Sequence, residues 1–309
     1  MKENLQLIAA PLQGFTEAEW RRAHGRVAGG ADLYFSPFMR VERDAVRGRD
    51  LRDVKPDRND GVALVAQAIC RDAREFALIA DEVAAMGLSR LDLNMGCPFK
   101  PQVKHGRGAG LLANPGELEA IADEMERRRE MTFSVKMRPG VERVDEWREA
   151  VDIINRMRLS FITVHPRIAA QMYGGQLLLD EFGAMCGELR HAVVFNGDVR
   201  EPADIDRILE SFPGLYGVMA GRGLLARPTL FAEWRAGEEL PEDERRRAVT
   251  AIHNEMFAAY ETRLCGDSQL LMKIKPYWEY AGADFDRKAV KKLLKAGSLA
   301  SYRRALSEL

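Results

Sequence analysis

The chain has 309 residues, 46% of them hydrophobic and 30% charged, with a formal net charge of −1. That balance excludes a disordered chain and leaves room for one large barrel or two domains, and it gives no global sign of a polyanionic partner. Cys70, Cys97, Cys186 and Cys265 show neither CxxC nor Cys/His metal spacing, so no metal site is expected and the thiols are read as reduced.

At the N-terminus, Lys2 and Glu3 precede an apolar run that stops at Pro11. It is too short for a signal peptide or a membrane span, so no membrane role and a cytoplasmic location are expected. Short apolar runs then alternate with longer helical patterns. The candidate strands are Leu5–Ala9, Leu33–Phe35, Val62–Ala68, Leu91–Leu93, Thr132–Lys136, Phe161–His165, Ala192–Phe195 and Gly217–Ala220. Among the amphipathic stretches between them are Arg71–Met86, Pro115–Arg129, Asp145–Arg158 and Glu201–Phe212. Eight strands, most followed by a helix, predict an α/β fold of the (β/α)₈ TIM-barrel type. An open doubly wound sheet is the alternative, but no GxGxxG follows the first strand. After Trp234 the composition changes. Residues 235–244 read as a linker, with Pro241 and the acids beyond it opening a helix. The expected organisation is a barrel over residues 1–235 and a small helical domain over 241–309.

The strand ends carry the polar residues. They run from Pro11-Leu12-Gln13 through Gln67, Asn94 and Cys97, Lys136 and Arg138 to His165, Asn196-Gly197-Asp198 and Gly221-Arg222-Gly223. In a barrel these ends meet at one mouth, where catalysis sits. Gly96 and Pro98 force a turn that holds Cys97 just past the fourth strand. The glycines after strands seven and eight let backbone N–H groups approach an anion, and Arg222 adds a charge-assisted fork. Lys136 then lies towards the far end of an elongated phosphate-bearing ligand. FMN fits, with Lys136 at the ring edge that turns negative on reduction and Gln67 on the pyrimidine-like edge; a sugar phosphate fits the phosphate site equally well.

With those residues in place, the chain resembles the tRNA-dihydrouridine synthases, most specifically through Asn94-Met95-Gly96-Cys97-Pro98 and the Lys104 to Leu112 loop. Ala10–Thr16, Ser134–Arg138, Asn196–Asp198 and Gly221–Gly223 match further motifs of that family. The resemblance implies that Cys97 is the general acid. It implies that Pro11, Leu12, Gln13, Gln67, Lys136, His165, Asn196, Gly197, Asp198, Gly221 and Arg222 contact FMN, and that Asn94, Arg138 and Tyr173 approach the target base. NADPH is the implied electron donor and tRNA the implied partner; no obligate protein partner is implied, and a monomer is expected. The chain departs from the family's pattern at Leu12 and Gln13, and reads Pro166-Arg167-Ile168 where the family commonly has Gly-Arg-Thr.

Residues 265–309 hold nine Lys/Arg against five acids, with Tyr277, Trp278 and Tyr280 among them. That is the composition of an RNA-contacting face, or of a solvated helix surface over an aromatic core. On the first reading Lys273 and Lys275 dock tRNA. Two rivals stand beside a uridine reductase. A dehydrogenase acting on a free pyrimidine such as dihydroorotate would leave the basic tail without a task. A non-catalytic tRNA-binding protein would leave Cys97, Lys136 and Arg222 without one.

Overall fold

Eight parallel strands close into a barrel in the computed structural model, which describes residues 4–309. Lys2 and Glu3 of the N-terminal reading lie outside the described residues. The strands are β1 (Gln6–Ala9), β2 (Leu33–Phe35), β3 (Leu64–Ala68), β4 (Arg90–Met95), β5 (Thr132–Met137), β6 (Leu159–Val164), β7 (Val193–Asn196) and β8 (Gly217–Ala220). Each pairs with its sequence neighbours, and β8 closes on β1 with Gln6 opposite Gly217 and Ala9 opposite Ala220. The (β/α)₈ expectation holds, with small changes at the boundaries. β4 runs on to Met95, so Asn94 belongs to the strand rather than to the turn. The helix expected over Asp145–Arg158 is broken into a 3₁₀ turn, Glu146–Glu149, and a short helix, Val151–Arg156. There the Glu146 carboxylate accepts from the backbone N–H groups of Val141, Glu142 and Arg143, in the loop just before the 3₁₀ turn.

Alternation along the strands divides the barrel interior into two storeys. Ile8, Phe35, Val65, Phe161, Val194 and Met219 form an apolar cluster. Two residues further along the same strands, at the same parity, stand Gln67, Thr163 and Asn196, while β4 and β5 contribute Asp92, Asn94, Ser134 and Lys136. Side chains of opposite parity, such as Leu91, Leu93, Phe133 and Val135, join the larger cluster shared with the surrounding helices. The polar storey is the one nearer the C-terminal strand ends.

Beyond the barrel, a helix over Glu242–Arg263 leads a run of shorter helices. It packs on helix Ala18–Val27, and the larger apolar cluster continues through both, from Trp20 and Ala23 to Ile252, Met256 and Tyr260. Tyr277 and Trp278 are buried in this cluster, and Trp278 Nε1 donates to the Tyr302 hydroxyl at 2.8 Å. Tyr277 and Trp278 therefore belong to a core, with Tyr280 half-buried against it, and the reading that interleaved them with the cations as an RNA face is corrected for those two. Among the described residues no helix is long and apolar enough to cross a membrane.

Candidate functional site

A cavity of about 440 Å³ opens among the C-terminal strand ends. Pro11, Leu12, Gln13, Gln67, Asn94, Cys97, Lys136, Arg138, His165, Tyr173, Asn196, Gly197, Asp198, Gly221 and Arg222 all line it. The structure thus brings together the barrel residues expected to act as the acid, to contact FMN or to approach the base. Lys273 and Lys275 are not among the lining residues. Lys273 Nζ pairs with Glu17 at 2.5 and 2.7 Å, tying the C-terminal helices to the barrel, and Lys275 Nζ donates to the Ala296 carbonyl at 2.9 Å.

Cys97 is held from several sides. Its backbone N–H donates to Asn94 Oδ1 at 2.8 Å, and that of Gly96 does so at 3.1 Å. The Cys97 carbonyl accepts from the Ala109 N–H at 3.2 Å. Gly108, at φ +59°, passes directly beneath: a Cβ there would meet Cys97 Cβ at 2.7 Å and its carbonyl oxygen at 2.8 Å, so only glycine fits. Arg138, fully buried, donates from Nε to the Gly96 carbonyl at 2.8 Å. Its Nη1 reaches the carbonyls of Arg167 and Ile168 at 3.3 and 3.1 Å. Burial pushes the Cys97 thiol above its ordinary value, so the proton stays on sulfur at neutral pH.

Asn94 itself is set by a relay that sequence reading did not find. Its Nδ2 donates to Gln67 Oε1 at 2.8 Å, and Gln67 Nε2 donates to Asp92 Oδ2 at 2.8 Å. Ser134 Oγ donates to the other Asp92 oxygen at 2.6 Å. Asp92 and Gln67 have no exposed surface, and burial raises the Asp92 carboxyl to about 7. The available signal was parity: in Leu91-Asp92-Leu93-Asn94, Asp92 shares the inward face with Asn94. The relay fixes which end of Gln67 is which, and it leaves one Nε2 hydrogen unengaged.

Lys136 lies opposite Asn94 in the β4–β5 register. Its ammonium has no hydrogen-bond partner among the described residues. Burial first, and the Arg138 charge second, bring it down to about 7. The same causes hold His165 well below its ordinary value, so the imidazole is neutral at physiological pH.

At the β7 and β8 ends, Asp198 is the hub. It accepts from Arg167 Nη2 at 2.5 Å and from Arg222 Nη2 at 3.0 Å. Arg167, to which the sequence reading gave no role, is buried and also lies 3.3 Å from His165 Nε2. Arg222 and Arg138 flank the Tyr173 ring at 5.4 and 5.5 Å from its centroid. Met172, just before Tyr173, adopts φ +53°, a strained conformation for a side chain of its size. The glycines here serve the protein's own packing. A Cβ on Gly197 would meet the Phe195 ring at 2.4 Å, and one on Gly223 the Val199 carbonyl oxygen at 1.8 Å.

The segment after β2 went unread in the sequence. Phe38, Arg40, Arg47, Arg49 and Asp50 line the cavity from there, and Gln102 joins them from the helix after Cys97. The remaining thiols lie elsewhere. Cys70 is buried, Cys186 half-buried and Cys265 exposed.

The family model described as Dihydrouridine synthase (Dus) matches residues 7–303. A "Probable tRNA-dihydrouridine synthase" of Rhodobacter capsulatus is 26% identical over 98% of this chain and 95% of its own length. "tRNA-dihydrouridine synthase B" of Escherichia coli K12 is 28% identical over 76% of this chain and 74% of its own. Among solved structures, morphinone reductase superposes with a TM-score of 0.52 at 12% identity, covering 76% of this chain and 86% of its own, a likeness of fold alone.

Proposed function

This chain belongs to the dihydrouridine synthase family, an oxidoreductase family, and from that premise we propose that it reduces a uridine of tRNA to 5,6-dihydrouridine, using FMN in the barrel mouth and NADPH as electron donor. The observation that carries the reading is Cys97, fixed on its turn at one wall of the cavity that Lys136, Gln67 and Arg222 also line.

Those residues fit FMN. Lys136 brings an ammonium that no described residue engages, Gln67 an amide hydrogen left over from the relay, and Arg222 a guanidinium at the β8 end. Pro11, Leu12, Gln13, His165, Asn196, Gly197, Asp198 and Gly221 complete the surface that would hold it. Bound and reduced, FMN would supply a hydride to C6 of the uracil ring. Cys97 then donates its thiol proton to C5, and burial, by keeping the sulfur protonated, serves that role. Asn94 holds the turn that carries the thiol, and Arg138 locks that turn against the loop after β6. Tyr173, close to two guanidiniums and 46% exposed, offers an aromatic surface for the base. A uridine stacked in folded tRNA has to be turned out to reach Cys97, at a cost of roughly a few kcal/mol.

The C-terminal helices supply the electrostatic attraction, through different cations from those first read. Lys288, Lys291 and Lys295 stand three and four residues apart on the helix Arg287–Lys295, exposed and without an ion pair among the described residues. Ala289 and Leu293 bury its other face. This helix is the docking surface best suited to the RNA backbone. The enzyme would work in the cytoplasm, beside its substrate.

The test has two parts. Purified protein should release FMN on denaturation, and with NADPH it should form dihydrouridine in tRNA isolated from cells lacking that modification. Protein that neither retains nor takes up FMN, or that leaves uridine untouched when flavin-loaded, overturns the reading.

A further inference from the structure

The cavity wall built by the segment after β2 has no part in the chemistry just derived. A two-stranded hairpin, Val41–Glu42 with Ala45–Val46, turns on Arg43 and Asp44, both at positive φ (49° and 65°). So tight a turn leaves Arg40 and Arg47 side by side at its base, where the Arg47 N–H donates to the Arg40 carbonyl at 3.1 Å. Both side chains line the cavity, as does Arg49. Two carboxylates answer these three guanidiniums. Arg40 pairs with Glu42; Arg47 Nε lies 3.5 Å from Glu42 and 3.9 Å from Asp50; Arg49 Nε lies 3.3 Å from Asp50. One positive charge is left over, and Glu42, 51% exposed, is a weakly held partner that an incoming anion can replace.

Two of the residues that line this cavity each hold a buried polar atom unmatched among the described residues. Arg40 Nε has no acceptor, and Gln102 Oε1, on a residue only 6% exposed, has no donor. Buried orphans of this kind are rare and costly, and a ligand that supplies their partners removes the cost. The pairing asks for an anion and a hydroxyl close together. A ribose phosphate carries both, and its hydroxyl, donor and acceptor at once, can serve either end of the Gln102 amide.

We propose that Arg40, Arg47 and Gln102 form a subsite for one ribose–phosphate unit, with the phosphate on the two guanidiniums and the 2′-hydroxyl on the Gln102 side chain. Resting on the reading of this protein as an RNA uridine reductase, the unit is assigned to the nucleotide next to the one turned into the cavity. Arg49, 58% exposed, continues the cationic wall outwards, as a polymer leaving the mouth requires. The 2′-phosphoribose of NADPH presents the same chemistry, so the experiment has to separate the two sources.

The full-length, flavin-loaded protein is compared with an Arg40→Gln/Arg47→Gln double variant and with Gln102→Met, which nearly keeps the side-chain volume. Binding of an unmodified tRNA transcript is followed by fluorescence anisotropy across a salt series, and KM is measured for tRNA and for NADPH. The double variant should bind about tenfold more weakly, with a log–log salt slope shallower by about 0.7–0.9 for each phosphate that is no longer neutralised. Gln102→Met should weaken tRNA binding about threefold without changing that slope, and if the double variant is unfolded this variant decides alone. Wild-type tRNA affinity in the variants, with wild-type enzyme still reducing uridine, overturns the subsite and spares the function. A raised KM for NADPH with tRNA binding unchanged overturns the RNA assignment in favour of the dinucleotide. Loss of RNA binding in the variants of a protein that reduces no uridine upholds the subsite and overturns the function.

Discussion

The barrel mouth and the C-terminal helices both carry clustered cations, and the protein treats them in opposite ways. At the mouth Lys136 and Arg138 are drawn out of water, and burial brings their pKa values down to about 7 and about 10. In the C-terminal segment Arg287, Lys288, Lys291 and Lys295 stay in solvent while the aromatic residues go inside. A charge at low dielectric acts strongly on the one group placed beside it; a solvated charge acts weakly, and on any polyanion that passes. Charge counts alone do not separate the two uses. Burial and pairing do, and they also show Lys273 spent on Glu17.

The contrast is broken most severely at Cys97. Cys97→Ala should slow reoxidation of reduced enzyme by tRNA by about 10²–10⁴-fold, the usual worth of a positioned general acid, whereas Ala at exposed Cys265 should leave it near wild type. Anaerobic single-turnover stopped flow measures both. Next comes the relay: Asp92→Ala strands Ser134 Oγ and the Gln67 amide, at about 1–3 kcal/mol for each orphaned partner, read from urea unfolding. Asp92→Asn, which keeps the shape, should lose less.

A smaller effect sharpens the electrostatic side. In the flavin-free protein Lys136 gives up its proton near pH 7, below its ordinary value. An electron-rich cofactor edge favours the charged form, so binding above that pH has to return the proton. FMN affinity should therefore fall as pH rises past 7, by at most about tenfold per unit, and Lys136→Met should abolish that fall. Titrating FMN into flavin-free protein from pH 6 to 9 checks the sign. Smallest of all, Lys273→Ala breaks a pair whose side chains are 35% and 21% exposed, and should cost no more than about 1 kcal/mol. If Lys273 acts as a structural tie, the loss appears in thermal unfolding while the salt slope of tRNA binding stays put; a flattened slope restores it as an RNA contact.

Much of this was legible in the chain. Strand runs and strand-end polar residues were enough to place Cys97, Lys136, His165 and Arg222 around one mouth, because a closed parallel barrel leaves those positions nowhere else to go. Asp92 was missed because an acid inside an apolar run gives no sign of its partners, which come from β3 and β5. Arg40 and Arg47 were missed because a hairpin turning on Arg43 and Asp44, without glycine, has no turn signature. The tail went the other way: the composition of Tyr277–Tyr280 suits a core as well as a nucleic-acid surface, and only packing distinguishes them.

The apolar cluster that runs without a break from the barrel's outer layer into the last helices has a consequence for how the molecule comes apart. A boundary drawn at residue 235 separates two architectures but not two units of cooperativity. Trp20, Ala23 and their neighbours lean on Ile252, Met256 and Tyr260, while Phe15, in the loop after β1, meets Tyr280 edge to face at 5.1 Å. Calorimetry on the intact chain should record one transition rather than two. A chain cut after residue 235 should bare this seam and aggregate rather than yield a free-standing barrel.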